Sequence, residues 1–222
     1  MKNFILASVV ATGFFVQAAV VLAAGGPKID LPSFDVNLQD RASLQKGAQL
    51  YMNYCLGCHS LKYLRYERLA DDLKIDHDIV KENLIFDGSK IGDPILTSMS
   101  AEDSAKWFGV APPDLTLEAR LRGPDWLYGY LTSFYPDPER IWGVNNRVFP
   151  AVGMPHVLQS LEESLGPDAF AEQMQHLTQF LTYAAEPARM KRESLGKYVL
   201  LFLVILMVPV YFLNREYWKD VK

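Results

Sequence analysis

Cys55-Leu56-Gly57-Cys58-His59 is the stretch of this sequence that decides its fold and its chemistry. Two cysteines three residues apart lie on one face of a helical turn, so each thiol can reach one of the two vinyl groups of a haem. The histidine that follows is then carried under the iron, where its imidazole supplies the proximal ligand. The pattern predicts one covalently attached haem c.

Two other interpretations of the cysteine pair require a context that the sequence lacks. A thioredoxin-like dithiol is expected in a βαβ unit, and a zinc site needs further ligands nearby. The chain has only two cysteines, which excludes a disulfide framework. The sequence therefore predicts electron transfer by the haem.

The N-terminus has the pattern of an export signal. Residues 4–24 carry no charge, follow Lys2 and end in small residues at Ala23 and Ala24. This is typical of a signal peptide over residues 1–24, cleaved near Ala24. An uncleaved anchor is the alternative, because the apolar run approaches the length of a membrane span. A transit peptide would be rich in arginine, so the sequence favours bacterial export to the periplasm.

A second apolar run lies near the C-terminus. Residues 198–213 are uncharged and would span about 24 Å as a helix. Extension back to Leu195, with Lys197 directed to the interface, gives a transmembrane helix over residues 195–213. Export of the N-terminus then places a haem domain, residues 25–190, in the periplasm. A short tail, residues 214–222, stays on the cytoplasmic side of the inner membrane.

The segment outside the membrane is acidic. Residues 25–196 contain 24 acidic and 17 basic side chains, a net charge of −7. This argues against a nucleic-acid partner and favours a basic protein partner, whose association would weaken as salt rises. The interpretation as a docking patch competes with that of a solvated surface loop. The acidic side chains concentrate at Asp71, Asp72, Asp76, Asp78, Glu82 and Asp87.

Helical periodicity predicts two long helices that cross. In residues 40–54 apolar or small side chains recur at helical spacing, and Gly47 makes this face flat. The expected partner is a helix over residues 168–185, with Asp168 as its N-cap and Glu186-Pro187 at its end.

The middle of the chain, residues 86–153, is rich in glycine and proline. Ordered loops of this length need an organiser, and a buried porphyrin is one. Short helices are expected near residues 98–107 and 124–134, with little strand. The predicted fold class is mainly α: a cytochrome c-like haem domain with long loops, plus one C-terminal transmembrane helix.

The ligand on the other side of the iron is open at this point. A methionine, a second histidine or an open site each predicts different chemistry, and an open site would indicate a peroxidase or gas sensor. Met99 has the spacing seen in small cytochromes but lies among polar residues. Met154 lies in a loop where glycine permits close approach and proline adds stiffness. The candidates are Met99, Met154, His77, His156 and His176.

Arginines suit the haem propionates, because a guanidinium matches a carboxylate. Arg120 and Arg122 follow the Pro112-Pro113-Asp114-Leu115 segment. The alternative is a pair of solvent-facing side chains.

Four motifs together resemble the cytochrome c1 family of quinol–cytochrome c reductases. They are YCLGCHSLKYLRY (54–66), WFGVAPPDL (107–115), FPAVGMP (149–155) and AAEP (184–187), the last leading into the anchor. The chain looks like the short bacterial form, without the insertions and extra cysteines of some relatives. That places in doubt any partner contact made through those insertions.

The resemblance implies a set of roles. His59 and Met154 would be the axial ligands, Pro113 would belong to the haem site, and Arg120 or Arg122 would meet a propionate. The partners would be cytochrome b, a Rieske iron–sulfur protein as electron donor and a cytochrome c-type acceptor. The chain alone would be no enzyme but the electron-transfer subunit of one. A free anchored shuttle and a terminal-oxidase subunit are the alternatives.

Overall fold

The computed structural model describes residues 30–220, and these are mainly helical. The predicted signal peptide lies outside them. The helices are α1 (Arg41–Leu50), α2 (Tyr66–Leu73), α3 (His77–Asn83), α4 (Ala101–Phe108), α5 (Glu118–Leu121), α6 (Pro124–Leu131), α7 (Gln159–Leu165), α8 (Pro167–Ala185) and α9 (Arg189–Tyr217). Two short antiparallel ribbons pair β1 (Leu61–Arg65) with β2 (Pro94–Ile95) and β3 (Phe134–Pro136) with β4 (Val144–Asn146). The predicted fold class is confirmed.

The crossing of α1 and α8 is the centre of the core. Asp40 caps α1 by accepting the Ser43 N–H at 3.0 Å. At Gly47 the helices approach so closely that a Cβ would lie 2.1 Å from the carbonyl oxygen of His176. Just beyond, the ring of Tyr51 packs 5.8 Å from that of Phe180, and both are fully buried. The predicted crossing at a flat glycine face is confirmed.

The start of α8 differs from the prediction. The N-cap is Gly166, and Asp168 lies in the first turn instead of capping the helix. Pro167 explains the difference, because its fixed φ and missing N–H suit the first helical position. The negative charge of Asp168 still interacts favourably with the positive N-terminal end of the helix dipole. The helix ends at Ala185, immediately before the predicted Glu186-Pro187 stop.

The expected short helices of the middle region are present as α4 and α6. Each end lies within three residues of its predicted bound. The ribbons fix the loops next to these helices. Strand β2, which precedes α4, pairs with β1, and β3 pairs with β4 after α6. Little strand is formed, as predicted.

Helix α9 is the membrane anchor. It has 29 residues and a mean hydropathy of 2.2 in its apolar window, and none of that window is buried against the residues that the structure describes. A helical segment that is apolar all round and not covered by the described residues suits lipid. Its length of about 44 Å exceeds the ~30 Å of bilayer hydrocarbon. It contains the predicted span, residues 195–213.

Gly47→Ala is expected to lower the free energy of unfolding by about 3 kcal/mol, because the added methyl group forces two backbones apart. Gly92→Ala is the control, since nothing lies within 4 Å of a Cβ there. Urea or thermal unfolding of the haem-loaded protein measures the difference. Equal stability of the two variants would contradict the close crossing.

Candidate haem site

The two cysteines and His59 occupy one tight turn that continues from α1. After Leu50 the chain makes a single π-helical turn, Tyr51–Cys55. The carbonyl oxygen of Cys55 then accepts the N–H groups of Cys58 at 3.0 Å and of His59 at 2.8 Å. The turn therefore gathers all three side chains at the end of the first core helix.

Side chains distant in sequence hold this turn in place. Ser60 Oγ accepts the Thr97 N–H at 2.9 Å, and Thr97 Oγ1 donates to the Gly57 carbonyl at 2.9 Å. The Ser60 carbonyl accepts the Leu115 N–H at 2.9 Å. Ser60 and Thr97 were not predicted, because serine and threonine in loops carry no periodic signal.

His59 is oriented as a metal ligand. Its Nδ1 lies 2.7 Å from the carbonyl oxygen of Pro113, and Tyr51 donates its hydroxyl to the His59 carbonyl. Burial lowers the pKa of the imidazole, which favours the neutral ring. Nδ1 then carries the proton that Pro113 accepts, and Nε2 keeps its lone pair for a metal. Within residues 30–220 no hydrogen bond occupies Nε2.

The cysteines lack the features of a redox dithiol. Burial, followed by the neighbouring Cys58, raises the pKa of the Cys55 thiol to about 12, and burial also raises the pKa of Cys58. Reactive dithiols and zinc ligands require a lowered thiol pKa. The described part of the chain also gathers no group of three or more metal-ligating side chains. Both observations argue against the dithiol and the zinc interpretations for the described residues.

Met154 reaches the same region from the loop after β4. The hydroxyl of Tyr130 donates to its Sδ at 3.3 Å. Burial raises the pKa of Tyr130, so the hydroxyl remains a donor. Val110 Cγ1 lies 3.9 Å from where a Cβ would sit at Gly153. The loop of Met154 thus contacts the segment whose Pro113 carbonyl holds His59.

Two adjacent asparagines, Asn145 and Asn146, form the frame of that loop. Asn146 is fully buried; its Oδ1 accepts the N–H groups of Val148 at 2.9 Å and Phe149 at 3.0 Å. Asn145 Oδ1 accepts the N–H of Ala151 at 2.9 Å, and Ala151 has a φ of 63°. These bonds fix the path toward Met154. Neither asparagine was predicted from the sequence.

A family model described as the cytochrome C1 family matches residues 34–221. The chain belongs to the cytochrome c1 family. Members carry a haem and transfer electrons in bc1-type complexes, and this chain is a membrane-anchored haem protein of that kind. The resemblance drawn from the four motifs is confirmed.

Curated relatives agree over most of the chain. Cytochrome c1 of Allochromatium vinosum is 46% identical over 100% of both chains. The ammonia monooxygenase gamma subunit of Nitrosomonas europaea is 36% identical over 93% of this chain and 97% of its own. Cytochrome b/c1 of Bradyrhizobium diazoefficiens is 26% identical over 82% of this chain but only 34% of its own length.

The histidines considered as alternative ligands each have another partner in this cytochrome c1 family member. His77 pairs with Asp71 at 3.0 Å on the surface. His156 Nε2 lies 2.7 Å from Glu162, and its ring stacks on Phe134. His176 Nδ1 lies 2.8 Å from Ser43 Oγ between α1 and α8.

A cleft of about 280 Å³ opens beside Cys58. Its lining is mixed: the apolar side chains are Leu96, Met99, Ala101, Ala111 and Pro112, and the polar ones are Ser60, Lys62, Thr97, Ser104 and Asp114. Large apolar side chains in residues 110–121 and in the loop before Met154 are exposed, as is common where a ligand or partner covers a protein surface. These exposed side chains are Val110, Leu117, Leu121 and Phe149. The His59 imidazole, the two cysteines and the exposed apolar side chains fit a haem; Met99 lies in the cleft beside Cys58, whereas Met154 lies in a separate loop.

The two arginines have different surroundings. Arg122 Nε pairs with Glu118 at 2.9 Å, and its guanidinium lies 4.4 Å from the ring of Trp126 and 5.5 Å from that of Phe149. Arg120 is exposed, and its side chain has no hydrogen-bond or ion-pair partner among residues 30–220. The spacing of four residues between Glu118 and Arg122 is the sequence signal that predicts this ion pair on a helix.

Proposed function

We propose that this chain is the haem c subunit of a quinol–cytochrome c reductase. It accepts an electron from a Rieske iron–sulfur protein and passes it to a cytochrome c-type acceptor. The observation that supports this best is the bond from His59 Nδ1 to the Pro113 carbonyl, on a segment that the Met154 loop also contacts. The His59 imidazole is neutral and oriented by this bond, and the Met154 loop would supply a thioether as the second donor.

The side chains of the proposed site would have different roles in haem binding. Cys55 and Cys58 would form the two thioether bonds, and His59 and Met154 would be the axial ligands. When bound, the haem supplies a reversible ferric–ferrous couple. The chain contributes a proton held on His59 Nδ1, a soft sulfur donor and apolar walls that exclude water. One electron enters and one leaves, and no substrate bond changes.

Arg120 is the better candidate for the haem propionate. Arg122 is already paired with Glu118 and stacked on aromatic rings, so a propionate there would have to compete with an existing carboxylate. Arg120 has a guanidinium without such a partner in the described residues. Its five donors suit a carboxylate.

Arg120→Gln is expected to lower the haem reduction potential, because loss of a nearby positive charge favours the ferric state. The expected change in the reduction equilibrium is about threefold to tenfold, up to about 59 mV for one electron. Arg122→Gln is the matched control and should shift it less. Potentiometric titration of both proteins measures the two reduction potentials. A larger change in the Arg122 variant would assign the propionate to Arg122 instead of Arg120.

We infer a periplasmic haem domain over residues 25–190, released from a signal peptide at 1–24. It would be held by the anchor at 195–213, with the tail 214–222 in the cytoplasm.

Two findings favour cytochrome b and a basic electron acceptor as partners. The name of the Bradyrhizobium diazoefficiens relative joins cytochrome b to cytochrome c1, which supports cytochrome b as the membrane neighbour. The acidic excess of the domain favours a basic acceptor.

The acidic stretch is only partly available for docking. Asp71 pairs with His77, Asp72 with Arg68, and Asp78 with Lys81. Asp76, Glu82 and Asp87 form no such ion pair among the described residues. These three carboxylates, with the exposed Asp71, whose partner is a histidine and not a lysine or arginine, are therefore the part of the stretch that would attract a basic partner.

Affinity purification of the tagged full-length protein from native membranes tests the assembly. The expected result is recovery with cytochrome b and a Rieske protein, and reduction of the haem on addition of a quinol. Isolation alone, or with terminal-oxidase subunits, would overturn the proposal. Carbon monoxide binding by the native ferrous protein would instead favour the peroxidase or gas-sensor class.

A second candidate is a subunit of an ammonia-oxidising assembly. The similarity to a relative named ammonia monooxygenase gamma subunit, over nearly the whole of both chains, favours it. The same purification separates the two, because this alternative requires recovery with monooxygenase subunits and without cytochrome b.

A further inference from the structure

The hydroxyl of Tyr130 is a hydrogen-bond donor aimed at the sulfur of Met154, at 3.3 Å. We propose that Tyr130 is a positioning residue that fixes the Met154 sulfur and raises the reduction potential of the haem. The proposal rests on the proposed function, because it requires Met154 to be an axial ligand. A thioether sulfur has two lone pairs, so it can bind iron and accept this hydrogen bond together.

The ring of Tyr130 is held firmly by its neighbours. It stacks on Trp126 with 5.1 Å between ring centroids and 9° between planes. Phe134 meets it edge-on at 5.3 Å. The phenol is therefore confined between two aromatic rings, and its hydroxyl is kept at the sulfur.

Asn146 connects the donor to the acceptor. Its Nδ2 donates to the Tyr130 carbonyl at 2.8 Å, while its Oδ1 accepts from the N–H groups of Val148 and Phe149. One fully buried side chain thus ties the helix that carries the phenol to the loop that carries the sulfur. The geometry of the hydrogen bond is set by packed groups on both sides.

The direction of the effect follows from electron donation. A hydrogen bond withdraws electron density from the sulfur, which weakens its donation to the iron. Weaker donation destabilises the ferric state more than the ferrous state. The potential is therefore higher with the hydrogen bond than without it.

Tyr130→Phe in the full-length, haem-loaded protein tests this directly. The expected result is a ferric spectrum that keeps its thioether-to-iron charge-transfer band and a reduction equilibrium shifted about tenfold toward the oxidised form, which is about 59 mV. Tyr128→Phe, two positions earlier on α6 and facing Phe34, is the control and should leave the potential unchanged.

Asn146→Ser is the second variant, measured in the same way. It removes the tie between Tyr130 and the loop, so the potential should fall and the charge-transfer band should weaken. An unchanged potential in either variant overturns the proposal. A native protein without the charge-transfer band would instead overturn Met154 as ligand, and with it the proposed function, so the two failures are distinguishable.

Discussion

Met154→Ala is expected to abolish the thioether-to-iron charge-transfer band of the ferric protein and to lower the reduction potential by far more than any other single change around the site. A methionine ligand favours the ferrous state relative to nitrogen or oxygen ligands. Its loss opens a coordination position, so the ferrous variant should also bind carbon monoxide. Absorption spectra and potentiometric titration measure both effects.

Met99→Ala is the matched control, since Met99 lines the cleft beside Cys58. It should keep the band and the potential. If the band vanished in the Met99 variant and persisted in the Met154 variant, the ligand assignment would be reversed.

Replacement of both Cys55 and Cys58 by alanine is expected to remove all covalently bound haem. Each sulfur is expected to supply one thioether bond, so the single variants should keep one attachment and a shifted haem spectrum. Haem staining after denaturing electrophoresis distinguishes the three proteins. Full haem staining of the double variant would show that the attachment lies elsewhere.

The sequence predicted those parts of the fold that depend on short-range pattern. The apolar spacing around Gly47 indicated the crossing with α8, and an uninterrupted apolar run indicated α9, because both signals are local. The Asp168 N-cap was wrong because Gly166 and Pro167 together begin the helix sooner. The capping preference of aspartate was given more weight than the preference of proline for the first helical position.

The supports of the site could not be predicted in the same way. Asn146 meets Tyr130, and Ser60 meets Thr97, across long separations in the chain. Such contacts follow from the tertiary fold, and single polar residues in loops have no periodicity to reveal them. The haem-site residues themselves were accessible because the attachment motif requires fixed spacing, whereas the choice between Arg120 and Arg122 needed their neighbours.

The short joint between α8 and α9 has a mechanical meaning. Only Glu186, Pro187 and Ala188 separate the helices, and an ion pair at 3.0 Å joins Glu186 of this joint to Arg192 of α9. Helix α8 is locked against α1, and α1 runs directly into the turn of Cys55 and His59. The proposed haem-attachment turn is therefore connected to the membrane anchor through one packed helix pair and a joint of three residues. These elements would set the distance of the proposed haem from the membrane.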